Sequence, residues 1–133
     1  PGTDSLRYYH LGATWTRRRL AGTDPACANH AVPELARRKS GKLAVTWFEF
    51  VGGAGYRAYT VCQPDGSGCK TPVPIGPPMA GYELVRHSPR WLGEYAALVP
   101  DEAHRQLHAV WTQVLGDSPR GTARIVHARA PMR

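Results

Sequence analysis

Phenylalanine and methionine are scarce in this chain, two of each among 133 residues, and lysine occurs only at Lys39, Lys42 and Lys70. Acidic residues are few as well, 10 against 17 Lys+Arg, which leaves a formal charge of +7. No apolar run approaches the roughly 18 residues of a membrane-spanning helix. The opening residues lack the charged-then-apolar profile of a secretory leader. A Gly-x-Ser-x-Gly elbow, the signature of an α/β serine hydrolase, does not occur. His-x-Glu and Pro-Cys-x-x-Cys, needed for zinc-dependent base deamination, are missing too. Asn29 is the only asparagine and is not followed by an x-Ser/Thr acceptor pattern, so N-glycosylation has no site. No internal repeat or low-complexity tract is evident.

What is present suffices for a folded unit. Hydrophobic residues make up 42% of the chain, which argues against wholesale disorder, and the length fits a single domain over residues 1–133. The positive charge belongs to the two ends. Residues 1–42 hold Arg7, Arg17, Arg18, Arg19, Arg37, Arg38, Lys39 and Lys42 against Asp4, Asp24 and Glu34, while the last seventeen residues hold Arg120, Arg124, Arg129 and Arg133 against Asp117. Arginine offers a planar fork to phosphate oxygens. If the first and last strands are neighbours, these cations merge into one basic face suited to RNA or another polyanion. Arg7, Arg17, Arg18, Arg19, Arg37, Arg38, Lys39, Lys42, Arg124 and Arg129 are the candidate contacts. Tyr8, Tyr9 and Trp15 would supply stacking surfaces, whereas Trp47 and Trp111, set among apolar neighbours, are expected in the core.

His10 and His127 fall on those same first and last strands. Two imidazoles near arginines could cleave an RNA phosphodiester, one taking the 2′-hydroxyl proton and the other protonating the leaving oxygen. His104 and His108, four apart, would share one face of a helix. Arg105 stands where a zinc protease needs glutamate, so no metal and no cofactor is expected. Cys27, Cys62 and Cys69 leave three readings open: a Cys62–Cys69 disulfide across the turn-rich Gln63–Gly68 segment, three free thiols, or a zinc set with His30. A bridged pair would fit secretion and a different function, a non-catalytic extracellular or viral recognition module with a protein partner.

Periodicity predicts α+β: an antiparallel meander with a C-terminal amphipathic helix on one face and a closing strand. Ser5–Trp15 reads as the first strand and Pro33–Lys39 as a short helix with proline at its first position. Leu43–Val51 is the clearest strand, apolar on both faces and therefore central. Tyr56–Cys62 follows across the Gly52–Gly55 loop, and Pro72 and Pro74 confine the next strand to an edge. A helical turn is expected over Arg90–Leu98. Glu102–Leu115 carries Ala103, Leu107, Val110, Trp111, Val114 and Leu115 at helical spacing, and Thr122–Ala130 closes the sheet.

Overall fold

A computed structural model of the chain describes residues 7–11, 15–19, 29–51, 54–80, 96–115 and 122–132. Nine strands run through them: β1 (Arg7–Leu11), β2 (Trp15–Arg19), β3 (Asn29–Arg37), β4 (Leu43–Val51), β5 (Ala54–Cys62), β6 (Val73–Ala80), β7 (Ala96–Asp101), β8 (Gln106–Leu115) and β9 (Thr122–Pro131). They form a two-stranded ribbon β1-β2, a four-stranded sheet β3-β4-β5-β6 and a three-stranded sheet β7-β8-β9, all antiparallel between neighbours. Among the described residues there is no helix, so the expected α+β class is corrected to all-β.

The C-terminal helix is the main correction. Leu107 and Trp111 are four apart, a spacing that puts two residues on one side of a helix and equally on one side of a strand. Their intermediate, Ala109, is buried while Val110 is 37% exposed, which is alternation with period two. Asp101 and Gln106 close the hairpin through a turn in which Arg105 takes φ 53, so the Glu102–Leu115 segment bends instead of winding. The short helix at Pro33 is likewise a strand. Ala31 pairs with Phe48 and Glu34 with Thr46, so β3 carries one extra residue here, a bulge that includes Pro33. A proline, having no N–H to give, fits a bulge on an edge strand as well as a helix start. The remaining helical expectation, over Arg90–Leu98, is a strand from Ala96 onward; its first part lies outside the described residues.

Strand β4 occupies the expected central position. Leu43, Val45 and Trp47 on one face join Ala58 and Cys62 in a buried cluster. Ala44 and Phe48 on the other face join Tyr59, Val61 and Ile75, and against them pack Leu98, Leu107, Ala109, Trp111, Val126, Ala130 and Met132 of the second sheet. The four- and three-stranded sheets are therefore stacked face to face around one apolar layer. Each fully buried large apolar side chain in that layer contributes about 1.5–3 kcal/mol. Polar ties cross the layer: Tyr59 Oη donates to the Pro131 carbonyl at 3.2 Å and Gln113 Nε2 to the Pro78 carbonyl at 3.1 Å.

Edge strand β6 accommodates the largest of these side chains. Its register against β5 slips between Gly55 and Arg57, and Gly76, at φ 80, lies in the slipped segment. A Cβ on Gly76 would stand 2.7 Å from Cη2 of Trp111. Gly76→Ala is expected to combine left-handed backbone strain with overpacking of Trp111 and to lower stability by about 2–4 kcal/mol. Urea denaturation of the variant measures this, and a midpoint unchanged from the parent would contradict it.

Candidate functional site

The outer face of the β7–β9 sheet is where the described titratable groups converge. Alternation along β8 sends Leu107, Ala109 and Trp111 inward, and leaves His108 and Val110 on the opposite face. On β9, Val126 is inward while Ile125, His127 and Arg129 are exposed. Val110 pairs with His127 and His108 with Arg129, so the two histidines are diagonal neighbours across the strands. Their rings stack with centroids 5.2 Å apart and planes 15° from parallel, and His108 Nδ1 is 3.0 Å from His127 Nε2.

Asp101, at the end of β7, extends the group. Its Oδ2 lies 2.7 Å from His104 Nδ1 and 3.7 Å from His108 Nε2, and its Oδ1 accepts the His104 backbone N–H at 3.1 Å. The hydrogen bonds from the His104 ring and backbone hold the Asp101 carboxyl below its usual range, with the charges of His104 and His108 adding to the effect. An imidazole–imidazole hydrogen bond needs one N–H and one lone pair. With His127 Nε2 as donor and His108 Nδ1 as acceptor, the remaining proton of neutral His108 sits on Nε2 and faces the carboxylate. Protonating both rings would leave two donors opposed and break the bond.

Of the residues picked out from sequence, His127 is in this group, but its partner is His108. His10 sits on β1 opposite Thr16, and β1 is hydrogen-bonded to β2 whereas β9 is hydrogen-bonded to β8. The helical pairing of His104 with His108 is replaced by their common approach to Asp101. The cations fall into three groups. Arg7 pairs with Arg19 across the β1–β2 ribbon, Tyr8 with Arg18 and Tyr9 with Arg17. Arg37, Arg38, Lys39 and Lys42 lie at the end of β3 and in the turn to β4. Arg124 and Arg129 are exposed on β9, opposite Gln113 and His108. The turn group is partly engaged within the fold: Arg38 Nε is 3.5 Å from a Glu102 carboxylate oxygen, and the Lys39 N–H donates to Glu102 at 2.9 Å. That backbone bond, followed by Arg38, holds the Glu102 carboxyl low.

Asp101 and the His108–His127 pairing were not found from sequence; the only signal was the parity of the two strands, hidden while 102–115 was read as a helix. Cys62 and Cys69 form a disulfide over a separation of 7 residues, which removes two of the four ligands of the zinc reading. Cys27 lies outside the described residues. Among the described residues, no group of three or more His, Cys, Asp or Glu could hold a metal ion, and no helix is long and apolar enough to cross a membrane.

Because the Asp101 and Glu102 carboxyls are held low in the fold, their contribution is complete above the unfolded carboxylate pKa of about 4 and is lost as pH falls through the folded values. The double variant Asp101→Asn/Glu102→Gln should therefore lose less thermal stability between about pH 5 and pH 3 than the parent. Parallel Tm-versus-pH curves for the two proteins would refute that linkage. Comparison of the chain with protein-family models, curated proteins and solved structures finds no match.

Proposed function

We propose that this chain is a non-catalytic recognition module that works in an oxidising compartment, binding a protein partner through sheet surfaces. The observation that carries the reading is the Cys62–Cys69 disulfide. It closes a polar turn in which Ser67 bonds Asp65 through both its N–H and its hydroxyl, and in which Gly66 and Gly68 adopt positive φ. Structural disulfides persist where thiols are not continually reduced, and a small β domain gains from such a clasp. Cys62 is itself buried beside Trp47 in the core, so the bond ties the turn to the packed sheet.

A second reading has its own observation. The β1–β2 register sets Arg7 opposite Arg19. Like charges facing each other across strands repel, and an anion between them relieves that repulsion. With Arg17 and Arg18 on the same ribbon, and tyrosines opposite them, this supports polyanion or RNA binding there. A His10–His127 cleavage pair gains no comparable support, since His127 is bonded to His108.

Thiol titration in denaturant tests the first reading. Protein isolated from its native source should show two fewer reactive thiols without reductant than with it, and Cys62→Ser/Cys69→Ser should lower stability by about 2–3 kcal/mol. Equal thiol counts would defeat the oxidising-compartment argument. Fluorescence binding to single-stranded RNA tests the second. By register Arg7, Arg17 and Arg19 share one face of the ribbon, and these three on phosphates predict that log affinity falls with log salt at a slope of about −2, made shallower by about 1.4 in Arg17→Gln/Arg18→Gln/Arg19→Gln. A salt-independent signal, or a slope unaltered in the triple variant, would eliminate it.

A further inference from the structure

The hairpins β4–β5 and β8–β9 are register-matched copies of one motif. Leu43, Val45 and Trp47 recur as Leu107, Ala109 and Trp111, a displacement of 64 positions both from Leu43 to Leu107 and from Trp47 to Trp111. Their cross-strand partners correspond: Leu43↔Cys62 with Leu107↔Ala130, Val45↔Thr60 with Ala109↔Ala128, and Trp47↔Ala58 with Trp111↔Val126. The preceding strand repeats as well, since Leu35 pairs with Val45 as Leu98 pairs with Ala109. The sequence hides this relation because little beyond the aliphatic–small–tryptophan stripe is kept.

The two copies do not face each other symmetrically. The stripe of the second sheet, Leu107, Ala109 and Trp111, packs on the reverse face of the first, on Ala44, Phe48, Tyr59 and Val61. The first sheet's own stripe is buried separately. Front-on-back packing is heterologous, so two members do not complete it. It is the relation by which sheets repeat around a propeller or along a solenoid. On the reverse face of the first sheet, Thr46, Arg57, Tyr59 and Val61 are all buried. Their register equivalents on the second sheet are Val110, Ile125, His127 and Arg129, where Val110 is 37% and Ile125 77% exposed.

We infer that the outer face of β7–β9 is the seat of a further antiparallel sheet of this same repeat, which presents an aliphatic–small–tryptophan stripe to Val110 and Ile125 as β8 presents its stripe to the first sheet. This seat continues the interface already formed between the two sheets. The polar groups on the face fit such burial. On the first sheet, Arg57 Nε donates to Thr46 Oγ1 at 3.0 Å beneath the covering sheet, and on the second, at the positions equivalent to Ala44 and Tyr59, His108 Nδ1 and His127 Nε2 lie 3.0 Å apart and partner each other. A second copy of this chain does not supply the occupant, because its corresponding stripe, Leu43, Val45 and Trp47, is already buried.

The test extends the full chain beyond Arg133 with a flexible linker of about 20 residues, reaching roughly 25 Å, and a copy of residues 96–132, whose Leu107, Ala109 and Trp111 stripe is the one that packs on a reverse face. The labelling reporter is Ile125→Cys in a Cys27→Ser background. Alkylation of that thiol is expected to slow at least tenfold in the extended chain, and Trp111→Glu within the appended copy should restore the unextended rate. An unchanged rate overturns the inference, and so does an appended sheet that remains protease-labile, since a matching seat would have templated it. Sedimentation of the unextended chain supplies the independent arm, with a monomer expected. A dimer abolished by Ile125→Glu would assign the face to a second copy and overturn the inference as well.

Discussion

The fold depends on one contact layer, the stripe of Leu107, Ala109 and Trp111 laid on the reverse face of the four-stranded sheet. That layer exists because β4 is apolar on both sides, so a sheet already packed on one face still has a second to bury. The constraint propagates outward. The Trp111 indole approaches the slipped segment of β6 at Gly76, where a Cβ would stand 2.7 Å from the ring, and Gln113 Nε2 donates to the Pro78 carbonyl in the same segment. Packing at interior density leaves little room to move any one of these without the others.

A charge is held at the edge of this layer. Arg57 is buried, with its guanidinium 4.5 Å over the Phe48 ring and Nε donating to Thr46 Oγ1, whose hydroxyl donates in turn to the Ala58 carbonyl. Burial lowers the Arg57 pKa to about 10, and Glu34 opposes that shift. A cation whose pKa falls on folding costs stability while charged, so this group weakens the fold at neutral pH and does so less above pH 10. Its value is therefore better sought in specificity than in stability: only one register of β5 against β4 brings the guanidinium to both Thr46 and Phe48.

How much of this was legible follows from which residues are ambiguous between periods. Leu43–Val51 is legible as a strand although Leu43 and Trp47 are also four apart, because the residues between them are apolar or β-forming on both alternating faces, and Trp47 and Trp111 are identifiable as core from their neighbours. Leu107 and Trp111 are ambiguous in sequence because a separation of four satisfies a strand and a helix alike, and the burial of Ala109 against the exposure of Val110 decides between them. Pro33 is ambiguous for a related reason, since a missing N–H suits a helix start and a strand bulge equally. The histidine site is hidden behind the first ambiguity: once 106–115 is a strand, His108 and His127 fall on one face by parity alone. The disulfide is one alternative among several in the sequence because a seven-residue separation with a glycine-containing turn permits it without requiring it.

The net charge of +7 already counts Glu102 against Arg38, and of the cations behind it buried Arg57 is withdrawn from the surface while Arg38 is fixed in place by its partner. Arg57 is buried, and Arg38 with the Lys39 backbone is committed to Glu102, which fastens the β3–β4 turn to the β7–β8 turn across the sheet interface. A turn cation whose partner is held this way contributes to the alignment of the two sheets before it contributes to any external field. Arg129 differs, being exposed on β9 and sharing its face with Val110 and Ile125, whereas Arg124 has the parity of inward Val126. Guanidiniums interleaved with aliphatic side chains cover apolar area with their stems while keeping their charge in water. That composition is suited to a surface that meets another protein layer, and it sets β9 apart from the β1–β2 ribbon, where arginine faces arginine across the strands.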